Sequence, residues 1–392
     1  MTERLRVAQI VTRFTAGAGG VALRGALSLD PGRYEVVFVT GSGDQLIPKA
    51  RAAGFTVVIM ERLRSEIAPA DDWRALAELK AFLCAGQFDV VHTHSSKAGA
   101  LGRLAAHHAG VRQIVHTYHG FPFHDFQSRL RRTAYIRIER RLAKITDAFL
   151  AVGPAVAAEA IRRRIAPPER IRTIGVAVST GPAPQASDRA EARRLLGIPP
   201  GLRAVGTVGR LDFQKAPDDF VNALAGIGRD DVYGVWIGGG PLQADMQRLA
   251  ARRGLGRRMS FLGQRTDVSS LLPGLDVFAM ASRYEGLPCA IVEAMAAALP
   301  VVATAVNAVP NIVIAGETGL LVPAGRPELL SRALRHLLDH PDYAGRLGAA
   351  GRACLGAELA PAALGVVLDE TYRASRSAPG PVPSAPLEVV GP

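Results

Sequence analysis

The chain has 392 residues, enough for two domains, and its 48% apolar and 21% charged content excludes wholesale disorder. Its three cysteines, Cys84, Cys289 and Cys354, lie far apart with no CxxC pair, which excludes a disulfide framework and a cysteine-built zinc site. The net charge of +12 comes almost wholly from arginine. It fits either an arginine-rich coding bias or an anionic partner. No nucleic acid is expected as that partner, because aromatics are only 6% and no zinc-finger spacing, RNP-like motif or recognition helix occurs.

The chain opens MTERLRVAQIVTRF, with charges where a signal peptide needs an unbroken apolar core. The longest apolar stretch, 294–306, is about 13 residues, too short to span a bilayer. A cytoplasmic location follows as the expectation. Short β-branched runs at 5–11, 35–40, 56–59, 90–92, 113–116 and 148–152 read as buried strands. Amphipathic helical patterns at 73–85, 97–109 and 130–143 lie between them. This alternation predicts βαβ units around a parallel sheet. The pattern breaks over 177–202 and restarts at 203–208, 234–237, 259–262, 277–280 and 301–303.

The expected organisation is therefore an N-terminal Rossmann-like domain over 1–176, a linker over 177–202, and a second Rossmann-like domain over 203–355. A C-terminal segment, 356–375, and a Pro-rich disordered tail from 376 to 392 follow. Two such α/β domains facing one another would leave a cleft at the carboxyl ends of their strands, where ligands bind.

Chemistry-bearing residues fall at those strand ends. Gly17, Gly19 and Gly20 form a loop after the first strand, where a backbone can lie close to an acceptor or a phosphate. Seven of the nine histidines lie between 92 and 124, yet no carboxylate stands at ligand spacing from His92 and His94, and no D-x-D occurs. No metal is expected. His119, just past a strand, can orient a sugar hydroxyl or share protons near neutral pH. The stretch 129–144 carries six arginines and Lys144 against one acid, Glu139. Its apolar positions Leu130, Ala134, Ile138, Leu142 and Ile145 recur at helical spacing and are expected to pack inward. The alternative for this helix is a surface that meets anionic lipid.

In the second half, Arg210 and Lys215 follow a strand and can jointly hold a diphosphate. Gly238-Gly239-Gly240-Pro241 ends another strand. Glu285 and Glu293 flank Gly286, Leu287 and Pro288 where a loop enters a helix, with Pro288 read as the first helical residue. That helix N-terminus favours a phosphate, Glu285 can reach a sugar, and Glu293 can accept from a ribose diol.

Taken in order, the Gly loop, VHTHSSKAGALGRLAA, THGFPF-like YHGFPF, GRL…QK, GGGP, FLGQRTDV, E-x7-E with EAMAAALPVVAT, and GETGLLV closely resemble the retaining GT-B glycosyltransferases of family 4. The resemblance covers about residues 1–375 and implies two Rossmann-like domains with parallel sheets facing across a cleft. It implies transfer of a sugar from a nucleoside diphosphate to an acceptor hydroxyl, with no cofactor and no metal. Carried over by motif, Glu285 contacts the donor sugar, Glu293 the ribose, and Arg210 and Lys215 the diphosphate. Gly286 and Leu287 then lie close to sugar and phosphate, Arg265 lies in the loop that reads the base, and His119 sits near the reacting centre. The C-terminal segment, around 359–373, would cross back to the first domain.

The histidine-rich pattern looks most like enzymes that extend a polyprenyl-diphosphate-linked glycan, with UDP the expected donor base. A soluble acceptor (a cyclitol, thiol precursor or antibiotic aglycone) is the alternative. A sugar-nucleotide epimerase of the same fold is the more distant one.

Overall fold

The computed structural model describes residues 4–43, 46–178 and 180–377. The chain divides into two compact units, one made of 1–151, 159–172 and 364–392, the other of 152–158 and 173–363.

The first sheet and its helices follow the sequence β1 (Leu5–Arg13), α1 (Ala18–Leu27), β2 (Tyr34–Ser42), α2 (Leu46–Ala52), β3 (Thr56–Ile59), α3 (Pro69–Gly86), β4 (Val90–His94), α4 (Ser96–His108), β5 (Gln113–Tyr118), α5 (Arg129–Leu142), β6 (Ala148–Val152), α6 (Pro154–Arg162) and β7 (Ile171–Ile174). Its seven strands are ordered β3-β2-β1-β4-β5-β6-β7, with parallel pairing from β3 through to β6. Most strand residues are buried, as helices on both faces of a parallel sheet require.

The second unit runs α7 (Ala186–Leu196), β8 (Arg203–Val208), α8 (Pro217–Gly226), β9 (Val232–Ile237), α9 (Gln243–Arg252), β10 (Met259–Phe261), α10 (Val268–Leu271), β11 (Val277–Met280), α11 (Cys289–Ala296), β12 (Val301–Thr304), β13 (Leu320–Val322), α12 (Pro327–Asp339) and α13 (Pro341–Ala353). The helix α14 (Pro361–Ser377) follows. The six-stranded sheet has the order β10-β9-β8-β11-β12-β13 and parallel ladders. In both sheets the strand order reverses beside the first strand, between β1 and β4 and between β8 and β11. In open α/β sheets, ligands bind at the carboxyl ends of the strands flanking such a reversal.

Three expectations are corrected. The segment 177–202 is not a free linker. Its helix α7 buries Ala192 and Leu196, Leu196 and Ile198 join the second unit's core, and Arg189 pairs with Asp276 at 2.6 Å. The chain instead passes between the units at 151–152, 158–159, 172–173 and 363–364.

Pro288 is the N-cap of α11, not its first residue. Its ψ of 107° is extended, and its carbonyl accepts from the N–H of Ile291 at 3.1 Å.

Helix α5 is rotated from the expected face, although Leu142 stays inside as expected. Ile136, Glu139 and Leu142 point inward, while Leu130 is 83% and Ile138 45% exposed. The cause is Glu139, which accepts from the buried Arg103 guanidinium at 2.8 Å and from the Tyr118 hydroxyl at 2.9 Å. A buried arginine must find a carboxylate, and that need outweighs burying two aliphatic side chains.

Helix α14 belongs to the first unit. An added Cβ at Gly25 would lie 2.8 Å from Leu368, and the Tyr34 hydroxyl donates to Asp369 at 2.8 Å. Of the tail expected from 376, residues 378–392 lie outside the described residues.

Candidate active site

At the reversal in the second unit, the loop after β8 meets the loop after β11. Lys215 Nζ donates to Glu285 Oε1, with the carboxylate side chain only 5% exposed. The amide nitrogen of Gln214 donates to the Tyr284 carbonyl at 3.1 Å and reaches Glu285 Oε2 at 3.4 Å. From the end of β12, the side-chain oxygen of Asn307 accepts from the Glu285 N–H at 2.9 Å. Arg283 joins the same frame, pairing with Asp218 at 2.7 Å and lying over the Phe213 ring. Three segments of chain, 213–218, 283–285 and the turn at 307, thus hold Glu285 with its carboxylate beside an ammonium group.

The loop after β8 is itself fixed from below. Buried Trp236 packs edge-on against Phe220 and donates from its indole N–H to the Gly209 carbonyl at 2.8 Å, a bond contributing about 1 kcal/mol. Gly238 has φ of +136°, and a Cβ there would stand 2.1 Å from the Gly209 carbonyl oxygen. A Cβ on Gly240 would stand 2.4 Å from that of Leu211. Two of the three glycines are therefore required by close packing of these loops. Gly239 is the open one, with its nearest neighbour 3.7 Å away.

Around this centre, Arg210 is exposed and bonded to Asp212 through Nε at 2.6 Å, and Asp212 also accepts from the Lys215 N–H. Gly286 and Leu287 are buried at the entry to α11. Glu293 lies partly buried one turn along that helix. Arg265 makes a two-pronged pair with Asp267, at 2.8 and 2.6 Å, and its hydrogen bonds hold the Asp267 carboxyl below its ordinary range. Sequence reasoning singled out Lys215 and Glu285 but not Asn307 or Arg283. The signal for Asn307 was its place just past a strand end, where it adopts φ of +44°.

In the first unit, Gly17 is the N-cap of α1 with φ of +80°. Gly19 and Gly20 are not in the expected loop but buried in the first turn of α1, where a Cβ on Gly19 would crowd the Phe14 backbone at 3.1 Å. His119 Nε2 lies 2.9 Å from His94 Nδ1, and His94 Nε2 lies 2.5 Å from Gln9 Oε1. Burial first, then the nearby Arg24 guanidinium, pushes His119 down to about 3. Burial and the neighbouring histidines hold His94 well below its ordinary range. His92 binds Thr117 and Tyr372 at 2.6 Å each. Both of its ring nitrogens, like those of His94, are therefore engaged within the protein. Among the described residues no group of three His, Cys, Asp or Glu side chains is placed to hold a metal ion.

Two parallel-sheet Rossmann-like units with this constellation at a strand-order reversal define the GT-B class. Residues 16–181 match the family described as Glycosyltransferase Family 4, and residues 188–353 match that described as Glycosyl transferases group 1. The chain is 32% identical over 278 residues to a UDP-Gal:alpha-D-GlcNAc-diphosphoundecaprenol alpha-1,3-galactosyltransferase of Escherichia coli, spanning 68% of this chain and 71% of that one. It is 29% identical to the D-inositol 3-phosphate glycosyltransferase of Streptomyces scabiei, over 71% and 70% of the two chains. Its fold superposes with a TM-score of 0.82 on Anabaena HepE in complex with UDP and glucose, at 18% identity, covering 95% of this chain and all of the other. The protein belongs to glycosyltransferase family 4.

Proposed function

We propose that this glycosyltransferase moves a hexose or N-acetylhexosamine from a UDP-sugar to a polyprenyl-diphosphate-linked glycan, with retention of anomeric configuration, in cell-surface polysaccharide synthesis. The observation that carries the donor assignment is the Lys215–Glu285 contact at the reversal between β8 and β11. It puts a cation for the diphosphate beside a carboxylate for sugar hydroxyls. In this reading Arg210 closes on the diphosphate, Gly286 and Leu287 offer backbone to sugar and phosphate, Glu293 accepts from the ribose, and the Arg265 loop meets the base. Gly17, Gly19 and Gly20 lie against acceptor or phosphate, and His119 against the reacting sugar.

The bond from the anomeric carbon to the diphosphate oxygen breaks as positive charge builds on the sugar. The acceptor oxygen attacks from the same face, and its proton passes to the departing diphosphate. Arg210, Lys215 and the N-terminus of α11 stabilise the negative charge that develops there, so the reading gives no part to a metal or cofactor.

The Escherichia coli relative, described as acting on a diphosphoundecaprenol-linked sugar, supports the lipid-linked acceptor. So does α5. Its outward row of Leu130, Ala134 and Ile138, with Phe126 55% exposed nearby, lies among Arg129, Arg131, Arg137, Arg140 and Arg141. An exposed apolar row flanked by arginines suits peripheral contact with an anionic membrane face. Among the described residues no helix is long and apolar enough to cross a membrane. The D-inositol 3-phosphate glycosyltransferase relatives favour the second reading, a soluble acceptor.

The test incubates the enzyme with radiolabelled UDP-sugars and either membranes or soluble extract, partitions products between butanol and water, and uses Glu285→Ala as control. Label entering butanol only with membranes supports the lipid-linked acceptor. Label in a small aqueous product made only with soluble extract replaces it with the second reading. Product anomeric configuration by NMR decides retention.

A further inference from the structure

Helix α8, the end of α9 and α12 border an open groove of about 640 Å³ on the second unit, a volume in the range of small-molecule sites. None of Arg210, Lys215, Arg265, Glu285 and Glu293 lines it. Helix α8 starts at Pro217, two residues past Lys215, and Gly226 in the groove lies about 14 Å further along its axis.

Three guanidinium groups line the groove, from Arg253 at the end of α9 and from Arg332 and Arg335 on α12. Among the described residues the side chains of Arg253 and Arg332 have no hydrogen-bond or ion-pair partner. Arg335 has only Asp339, at 3.6 Å, and Asp339 is already bonded by Arg229. The one acid lining the groove, Glu328, is engaged by Arg326.

Two neutral groups lie beneath these cations. Ser331 is 5% exposed, and a Cβ on the facing Gly226 would stand 3.0 Å from its Oγ. Its hydroxyl has no hydrogen-bond partner among the described residues, and neither has the Asn222 amide, whose Oδ1 is buried. Buried polar groups are nearly always hydrogen-bonded, so two orphaned groups beside three poorly neutralised cations describe a site that a ligand completes. Planar guanidinium forks match the oxygens of a phosphate. A hydroxyl and an amide both give and take hydrogen bonds, which matches alcohol groups.

We propose that this groove binds a phosphate ester of a small polyol, with Arg253, Arg332 and Arg335 around the phosphate and Ser331 and Asn222 on the ester's hydroxyls. A free metabolite and a glycerophospholipid headgroup present the same ester chemistry. The proposal is independent of the donor and acceptor assigned above, because no residue is shared with that site.

The test titrates glycerol 3-phosphate into the full chain by calorimetry. One ester should bind per chain, with a Kd below about 1 mM. Replacing Arg332 and Arg335 together by Gln removes two charged contacts and should weaken binding by about tenfold or more. Both side chains are exposed, so the fold should survive, and circular dichroism checks it. Ser331→Ala should weaken binding about threefold, while Lys215→Ala should leave it within about twofold, which separates the groove from the donor site. A parallel arm sediments the protein with phosphatidylcholine vesicles containing phosphatidic acid. Glycerol 3-phosphate binding that the arginine substitutions abolish supports the proposal with a free metabolite as the source. Vesicle binding alone, lost in the same variant, supports it with a headgroup as the source. No binding in either arm, or binding that the arginine substitutions leave unchanged, overturns it.

Discussion

Lys215 donates to Glu285 across the strand-order reversal of the second unit, so the groups proposed for the diphosphate and for the sugar hold each other. Removing either partner leaves the other charge poorly compensated. Lys215→Ala and Glu285→Ala should each lower stability by about 2 kcal/mol, and the double variant should lose less than the sum. Urea denaturation of the four proteins measures this. In assays, Glu285→Ala should mainly lower turnover and Glu293→Ala mainly donor affinity. Wild-type rate and affinity in both would refute the site.

The glycines of GGGP should separate into packing and open positions. Gly238→Ala drives a methyl group onto the Gly209 carbonyl at a φ that side chains rarely adopt. It should cost about 2 kcal/mol or more and weaken donor binding by displacing the Lys215 loop. Gly239→Ala meets no protein atom within 3.7 Å and should leave stability within about 0.5 kcal/mol. Thermal unfolding of both variants checks the contrast, and equal losses would contradict it.

Much of this was legible because parallel strands are continuous apolar runs. The stretches read at 56–59, 148–152, 203–208 and 277–280 coincide with β3, β6, β8 and β11. Strands β7 and β13 escaped notice, being edge strands of four and three residues. Residues 172 and 173 of β7 are exposed, so no apolar run marks it. Helix α5 misled because periodicity records which side chains align, not which face a buried Arg103 will demand. Lys215 and Glu285 were findable from motif spacing. Gln9 and Tyr372 stand 363 positions apart, and no local pattern relates them.

Asn307 is expected to act through Glu285. Its side-chain oxygen accepts the Glu285 N–H, and its φ of +44° is one that glycine adopts without strain. Asn307→Gly therefore removes the acceptor while keeping the turn. Turnover should drop about tenfold with little change in thermal stability, because the carboxylate loses one of its restraints. A variant with wild-type turnover would show that Lys215 and Gln214 suffice to place it.

Four neighbouring histidines should make the first unit sensitive to acid. Burial holds His92 and His119 down to about 3, and holds His94 and His116 well below their ordinary range. In the unfolded chain all four titrate near 6.5. As pH falls below that value the unfolded state takes up protons that the folded state refuses. Stability is therefore fully present above about pH 7 and is lost progressively as pH drops toward 3. Each histidine contributes at most roughly 1.4 kcal/mol per pH unit within this window. Urea midpoints between pH 7.5 and 5.5, a range in which ordinary carboxylates stay ionised, should fall steeply. His92→Gln keeps a polar group that cannot titrate and should flatten the slope. A stability independent of pH across that range would mean that these rings are hydrated in the folded protein.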